Sequence, residues 1–183
     1  MRSISALFLS AACAVASAAD HDIRVDAHTE GGAVRVEASA RLRVPHALLW
    51  QTLTDYDHLN TFIPSMASSR VIERRGVAAI VEQTGEARFL LFTYPLNVTV
   101  ASEEYPPNSI RIHALKGNLR RLDGGYEIVA REGGEFELRW EGVIEPDLFL
   151  PALVTRPFLR AVVEAQFRGM VAEIQRRSDA RNP

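Results

Sequence analysis

Residues 33 to 44 alternate with a period of two: Val34, Val36, Ala38, Ala40, Leu42 and Val44 share one parity, while Arg35, Glu37, Ser39, Arg41 and Arg43 hold the other. That period puts one set on a dry face and the other in water, the mark of a half-buried β-strand. The pattern then changes within one residue. Pro45 fits the first turn of a helix, where its missing N–H costs nothing, and Leu49, Trp50 and Leu53 recur at helical spacing. A strand that runs straight into a helix calls for a fold with both a sheet and a helical layer.

Upstream, Ile23, Val25 and Ala27 alternate before Glu30-Gly31-Gly32, so the first two strands read as a hairpin turned by the glycines. Downstream, strands are predicted at Ser68–Arg74, Val77–Gln83, Ala87–Tyr94, Leu96–Glu104, Ser109–Lys116, Leu122–Arg131 and Glu135–Glu145. Arg75-Gly76, Pro95, Pro106-Pro107, Gly117-Asn118 and Gly133-Gly134 separate them, which implies an antiparallel meander. In the last strand Phe136, Leu138, Trp140 and Ile144 lie on one side and Glu135, Glu137, Arg139, Glu141 and Glu145 on the other, so one face of the sheet is wet. The run Phe89-Leu90-Leu91-Phe92 is apolar at both parities and reads first as core packing, second as ligand contact.

From Arg156 to Arg177, Leu159, Val162, Val163, Phe167, Met170, Val171 and Ile174 recur at three- and four-residue steps, giving one long amphipathic helix. Its roughly 20 residues span about 30 Å, comparable to the strands it would lie across. The fold class expected is α+β.

Residues 1–19 are set aside as a secretory signal peptide: Arg2, an apolar run from Ile4 to Val15, then Ala16, Ser17, Ala18 and Ala19, with cleavage expected after Ala18 or Ala19. Cys13 is the only cysteine, and Ser10 stands where lipoprotein signals carry an aliphatic residue, so lipidation is not expected. Removal of the signal leaves no thiol for disulfides, catalysis or metal binding, which points to a periplasmic or secreted protein of about 164 residues, 20–183, in one domain. The formal net charge of −2 and the absence of a basic stripe argue against nucleic acid as a partner.

The pattern W-x2-L-T-D-Y-x2-L-x2-F-I-P, carried by Trp50, Leu53, Thr54, Asp55, Tyr56, Leu59, Phe62, Ile63 and Pro64, resembles the START-like (SRPBCC) superfamily, in particular its polyketide cyclase/dehydrase and coenzyme Q-binding branch. The resemblance implies a helix-grip fold, in which a curved antiparallel sheet wraps a long C-terminal helix, with two short helices after the first strands and an apolar cavity inside.

The residues offer little catalytic apparatus. There is no G-x-S-x-G elbow, and His21, His28, His46, His58 and His113 are scattered, so no catalytic residue, metal or cofactor is assigned. Asp55 is expected to cap a helix or turn. Glu82, Arg88, Tyr94, Arg111 and Tyr126 are the polar groups that could act inside a cavity, yet they form no constellation. Pro146 to Val154 is too apolar for an ordinary loop, and Leu148, Phe149 and Leu150 either touch a membrane surface transiently or pack against the helix end.

The function these readings favour is binding or transport, by an exported monomer, of a small hydrophobic ligand such as a lipid, quinone or polyketide-like compound. Phe89, Phe92, Tyr94, Val98, Ile112, Tyr126, Trp140, Phe158, Val162 and Phe167 are the lining candidates, around a cavity expected to exceed roughly 300 Å³. A cyclase or dehydratase using polar groups in the same cavity is the second reading. A partner-binding module using the outer sheet face or the 148–154 loop is the third.

Overall fold

The computed structural model describes residues 22–89, 92–147 and 152–181, without the side chains of Phe89, Phe92 and Ala152. Residues 1–19, read above as a signal peptide, and the Leu148–Leu150 stretch therefore lie outside the described residues. The elements run β1 (Arg24–Glu30), β2 (Ala33–Leu42), α1 (His46–Leu53), a 3-10 turn (Tyr56–Thr61), β3 (Met66–Arg75), β4 (Ala78–Phe89), β5 (Phe92–Tyr105), β6 (Ser109–Gly117), β7 (Leu119–Ala130), β8 (Phe136–Pro146) and α2 (Ala152–Asp179). They form one antiparallel eight-stranded sheet in the order β1-β2-β8-β7-β6-β5-β4-β3. This is the helix-grip arrangement, the meander β3 to β8 returning to pair with β2.

The first hairpin forms as its pattern requires. Glu30 pairs with Ala33 across Gly31, which sits at φ 62°, a left-handed conformation that glycine adopts without a Cβ penalty. Along β2 the apolar parity is buried throughout, from Val34 and Val36 to Leu42. Pro45 stands one position earlier than expected: it is the residue before α1, and its carbonyl accepts from the amides of Leu48 and Leu49. Leu48, Leu49 and Leu53 point into the core, while Trp50 is half-buried.

Two strands predicted separately turn out to be parts of longer ones. Ala87–Tyr94 is split between β4 and β5, whose ladder is unbroken from Ala78–Glu103 to Phe89–Phe92, and Pro95 does not interrupt it. The Glu86 amide, opposite Pro95, donates to the Ser65 carbonyl on the far side at 2.8 Å. In an antiparallel pair the nitrogen of Pro95 therefore also faces away from β4, toward a flank where β6 begins pairing only at Val98. No ladder bond is lost.

Helix α2 lays Leu159, Val163, Phe167, Met170, Val171 and Ile174 into the core. It presses on the motif segment closely enough that a Cβ at Gly169 would stand 2.6 Å from both the Phe62 carbonyl oxygen and Pro64 Cδ. The glycine lets the helix seat against the chain that follows α1.

Candidate functional site

Between the inner face of the sheet and α2 lies a cavity of about 180 Å³. Register places its walls. Trp140 on β8 is flanked by Ala38 of β2 and Tyr126 of β7, and Tyr126 in turn by Ile110 of β6. The indole lies flat along the sheet because Gly142 offers no side chain; a Cβ there would meet the ring at 2.5 Å. On β5, Tyr94, Leu96, Val98, Val100 and Ser102 face inward at two-residue steps, a row about 26 Å long at roughly 3.3 Å per residue. Phe158, Leu159, Val162, Val163, Gln166 and Met170 of α2 form the opposite wall, and Leu53, Tyr56, Leu59 and Ile63 close one side.

Of the lining candidates read from the sequence, Tyr94, Val98, Ile112, Tyr126, Trp140, Phe158 and Val162 border this cavity. Phe167 does not: it is 1% exposed and buried in the core, while Val163, Gln166 and Met170 beside it on α2 carry the wall. The side chains of Phe89 and Phe92 lie outside the described residues. The volume is below the roughly 300 Å³ expected of a ligand pocket, because both α2 and the segment after α1 project large side chains inward. Leu53, Tyr56, Leu59 and Ile63 line the cavity although the sequence marks them otherwise, Leu53 by its helical spacing and the other three only as members of the family motif.

The polar candidates divide by strand parity. Glu82 faces outward and pairs with Arg70 at 3.3 Å. Arg88 is 78% exposed and pairs with Glu86. Arg111 is exposed and stands 5.4 Å from the centre of the Tyr105 ring. Asp55 caps nothing through its side chain; its carboxylate is taken by His58 at 2.6 Å and Arg177 at 2.8 Å. Only Tyr94 and Tyr126 turn inward. Burial raises the hydroxyl pKa of both, so both are neutral groups at ordinary pH.

Tyr94 donates to the carbonyl oxygen of Asn118, part of a polar knot at one end of the cavity. The Asn118 side chain accepts from the Asn97 amide at 3.0 Å and donates to the Pro95 carbonyl. Its own amide donates to Asn97, and its carbonyl also accepts from Asp147, each at 3.0 Å. The knot ties β5, the β6–β7 turn and the end of β8 together.

A wider groove of about 1060 Å³ runs over the outer face of the sheet. Its charges largely answer one another: Arg35 pairs with Glu30 and Glu141, and Arg139 with Glu127 and Glu137. Such solvated pairs contribute little and leave few groups free for a guest. The inner cavity, mostly apolar and with no charged side chain among the described residues of its wall, is the better candidate site.

The profile of the family described as polyketide cyclase / dehydrase and lipid transport matches residues 42–171. The chain belongs to this family. Solved structures agree on the START-like fold. The Zhui aromatase/cyclase from a Streptomyces species superposes with a TM-score of 0.67 at 17% identity, covering 79% of this chain and 95% of that one. A STAR-related lipid transfer protein from Xanthomonas axonopodis gives 0.66 at 13%, covering 84% and 93%. A START superfamily protein from Mycobacterium smegmatis gives 0.66 at 12%, covering 78% and 97%. At these identities the likeness concerns the fold. No curated protein matches the chain by sequence.

Proposed function

We propose that the chain is an exported, monomeric binding or transport protein for a small hydrophobic molecule held between the sheet and α2. The observation that carries this reading is the cavity wall: among the described residues it contains no Asp, Glu, Lys, Arg or His. Binding then draws on apolar surface removed from water, worth about 25 cal/mol per Å², with uncharged groups to orient the guest. The family description includes lipid transport, and the Xanthomonas neighbour is a lipid transfer protein. A guest larger than the present hollow requires α2 to shift outward.

The family also includes cyclases, and the Zhui neighbour is one. Cyclase chemistry would need a convergent acid and base, whereas Glu82 and Arg88 both face solvent. Carriage is therefore the stronger reading.

Native mass spectrometry and solvent extraction of protein purified from its own host test it. The expected result is a co-purifying neutral or lipid-like small molecule, released on denaturation; protein that is repeatedly empty would overturn the reading. Sequencing the N-terminus of the same sample tests export, with Ala19 or Asp20 expected as the first residue. Vesicle co-sedimentation tests whether Leu148, Phe149 and Leu150 bring the protein to a membrane, and light scattering tests the monomer.

A further inference from the structure

Among the described residues three tyrosines border the cavity, and their hydroxyls stand differently. That of Tyr94 is taken up in the knot, donating to the Asn118 carbonyl. That of Tyr56 is sealed in beside Ser102 and Glu104. Tyr126 is half-buried; its hydroxyl makes no hydrogen bond to any described residue, yet it is not enclosed by packing as that of Tyr56 is. Burial alone raises its pKa, with no charge or hydrogen-bonding group of the chain acting on it, so it stays protonated at ordinary pH.

Register explains why this hydroxyl is unclaimed. Tyr126 is flanked by Ile110 of β6 and Trp140 of β8, and along β7 the positions on its own face are Gly124 and Ile128. Isoleucine and glycine offer no polar side chain, and an indole only donates. The Trp140 N–H likewise makes no hydrogen bond to a described residue. Polar groups inside a protein nearly always have a partner, so two neighbouring donors left open in a cavity wall point to an acceptor that a guest brings.

The rest of the wall limits what carries that acceptor. Its other polar members, Gln83 of β4 and Gln166 of α2 among them, are uncharged. A carboxylate or ammonium entering there would lose its hydration and gain no counter-ion. A carbonyl or ether oxygen, by contrast, needs only one donor.

Resting on the reading of this cavity as a ligand site, we propose that its guest is an uncharged, largely apolar molecule with an acceptor oxygen, to which the Tyr126 hydroxyl donates beside Trp140. Tyr126 is then a specificity-determining residue, and free acids are excluded.

Three small bicyclic probes of similar outline test this by titration calorimetry on the purified protein: 2-acetylnaphthalene, which offers a ketone; 2-isopropenylnaphthalene, a hydrocarbon; and 2-naphthoate, an anion at about pH 7.5. One net hydrogen bond predicts that the ketone binds about fivefold tighter than the hydrocarbon, with naphthoate weakest. Tyr126→Phe should remove that preference by weakening the ketone alone, whereas Tyr105→Phe, at an exposed tyrosine outside the cavity, should keep it. Equal affinity for ketone and hydrocarbon, a preference that survives in Tyr126→Phe, or tightest binding of naphthoate would each overturn the inference while leaving the cavity a binding site. Should Tyr126→Phe not fold, difference infrared spectroscopy reads the carbonyl stretch of the ketone on the wild type. A band shifted down from its position in hexane is expected, and an unshifted band would overturn the inference. Failure of all three probes to bind would overturn the cavity reading itself, and this inference with it.

Discussion

Arg177, near the end of α2, donates to Asp55 at 2.8 Å although the two lie 122 positions apart. It also donates to Glu173 at 2.7 Å and stands 5.4 Å from the centre of the Phe62 ring. About a quarter of each side chain of the Arg177–Asp55 pair reaches solvent, 23% and 26%, so the interaction is less screened than the surface pairs. Arg177→Ala should destabilise the protein by about 1 to 3 kcal/mol, because it leaves two carboxylates without their shared donor. Urea unfolding measures this. Arg177→Lys should recover only part of the loss, since an ammonium does not reproduce the planar fork.

The same cluster predicts a pH response. Burial acts to raise the Asp55 carboxyl, but hydrogen bonds from His58 and Arg177 outweigh it and hold the group below its ordinary 3.8. The hydrogen bond from Arg176 likewise holds Glu173 below 4.5, against its burial. The unfolded chain therefore takes up these protons first as pH falls. Stability from these groups is complete above their ordinary values, and is lost as pH drops through the depressed ones. The urea midpoint, followed downward from about pH 6, should decline below that range in the wild type and less steeply in Arg177→Ala. Parallel curves would remove this cluster as the cause.

Gly169→Ala sets two effects against each other. Helix propensity alone favours alanine by about 1 kcal/mol. The new methyl would meet the Phe62 carbonyl at 2.6 Å, and forced overpacking costs about 1 to 3 kcal/mol. The obstacle is backbone, which yields less readily than a side-chain tip, so a net lowering of the melting temperature is expected in a thermal scan.

Val162 is half-buried and borders the cavity from the helix side. Val162→Phe should fill the hollow, weakening binding of 2-isopropenylnaphthalene by about tenfold, or 1.4 kcal/mol. Calorimetry gives that affinity, and a thermal scan should show the fold retained. Unchanged affinity would place the probe elsewhere.

The sheet and its long helix were legible because period-two and helical patterns survive in the sequence: β2 is buried on the side its parity indicates, as are Leu138 and Ile144 of β8 and the stripe from Leu159 to Ile174 apart from half-buried Val162, whereas Val143 is buried on the parity read as wet. Boundaries at Pro95 were not legible. Whether a proline breaks a strand depends on which flank its nitrogen faces, and that is set by the partner strand. The cavity wall was partly legible for the same reason. Parity separates Tyr126 and Trp140 from Glu127 and Arg139, but it does not distinguish a side chain facing a hollow from one facing another side chain. Phe167 and Val162 share the helix stripe, and only packing separates them. Tyr56 belongs to the family motif, yet its place against Arg74, Ser102 and Glu104 emerges only when those residues come together from β3 and β5.

The knot around Asn118 has a mechanical consequence. Five hydrogen bonds fasten the sheet rim beside Tyr94, joining β5, the β6–β7 turn and the end of β8, so this border resists being pried apart. Phe158 meets the same border from α2, its ring 6.5 Å from that of Tyr94. With the sheet braced on this side, any widening of the cavity at this end has to come from the opening turns of the helix, against which the sheet serves as a fixed frame.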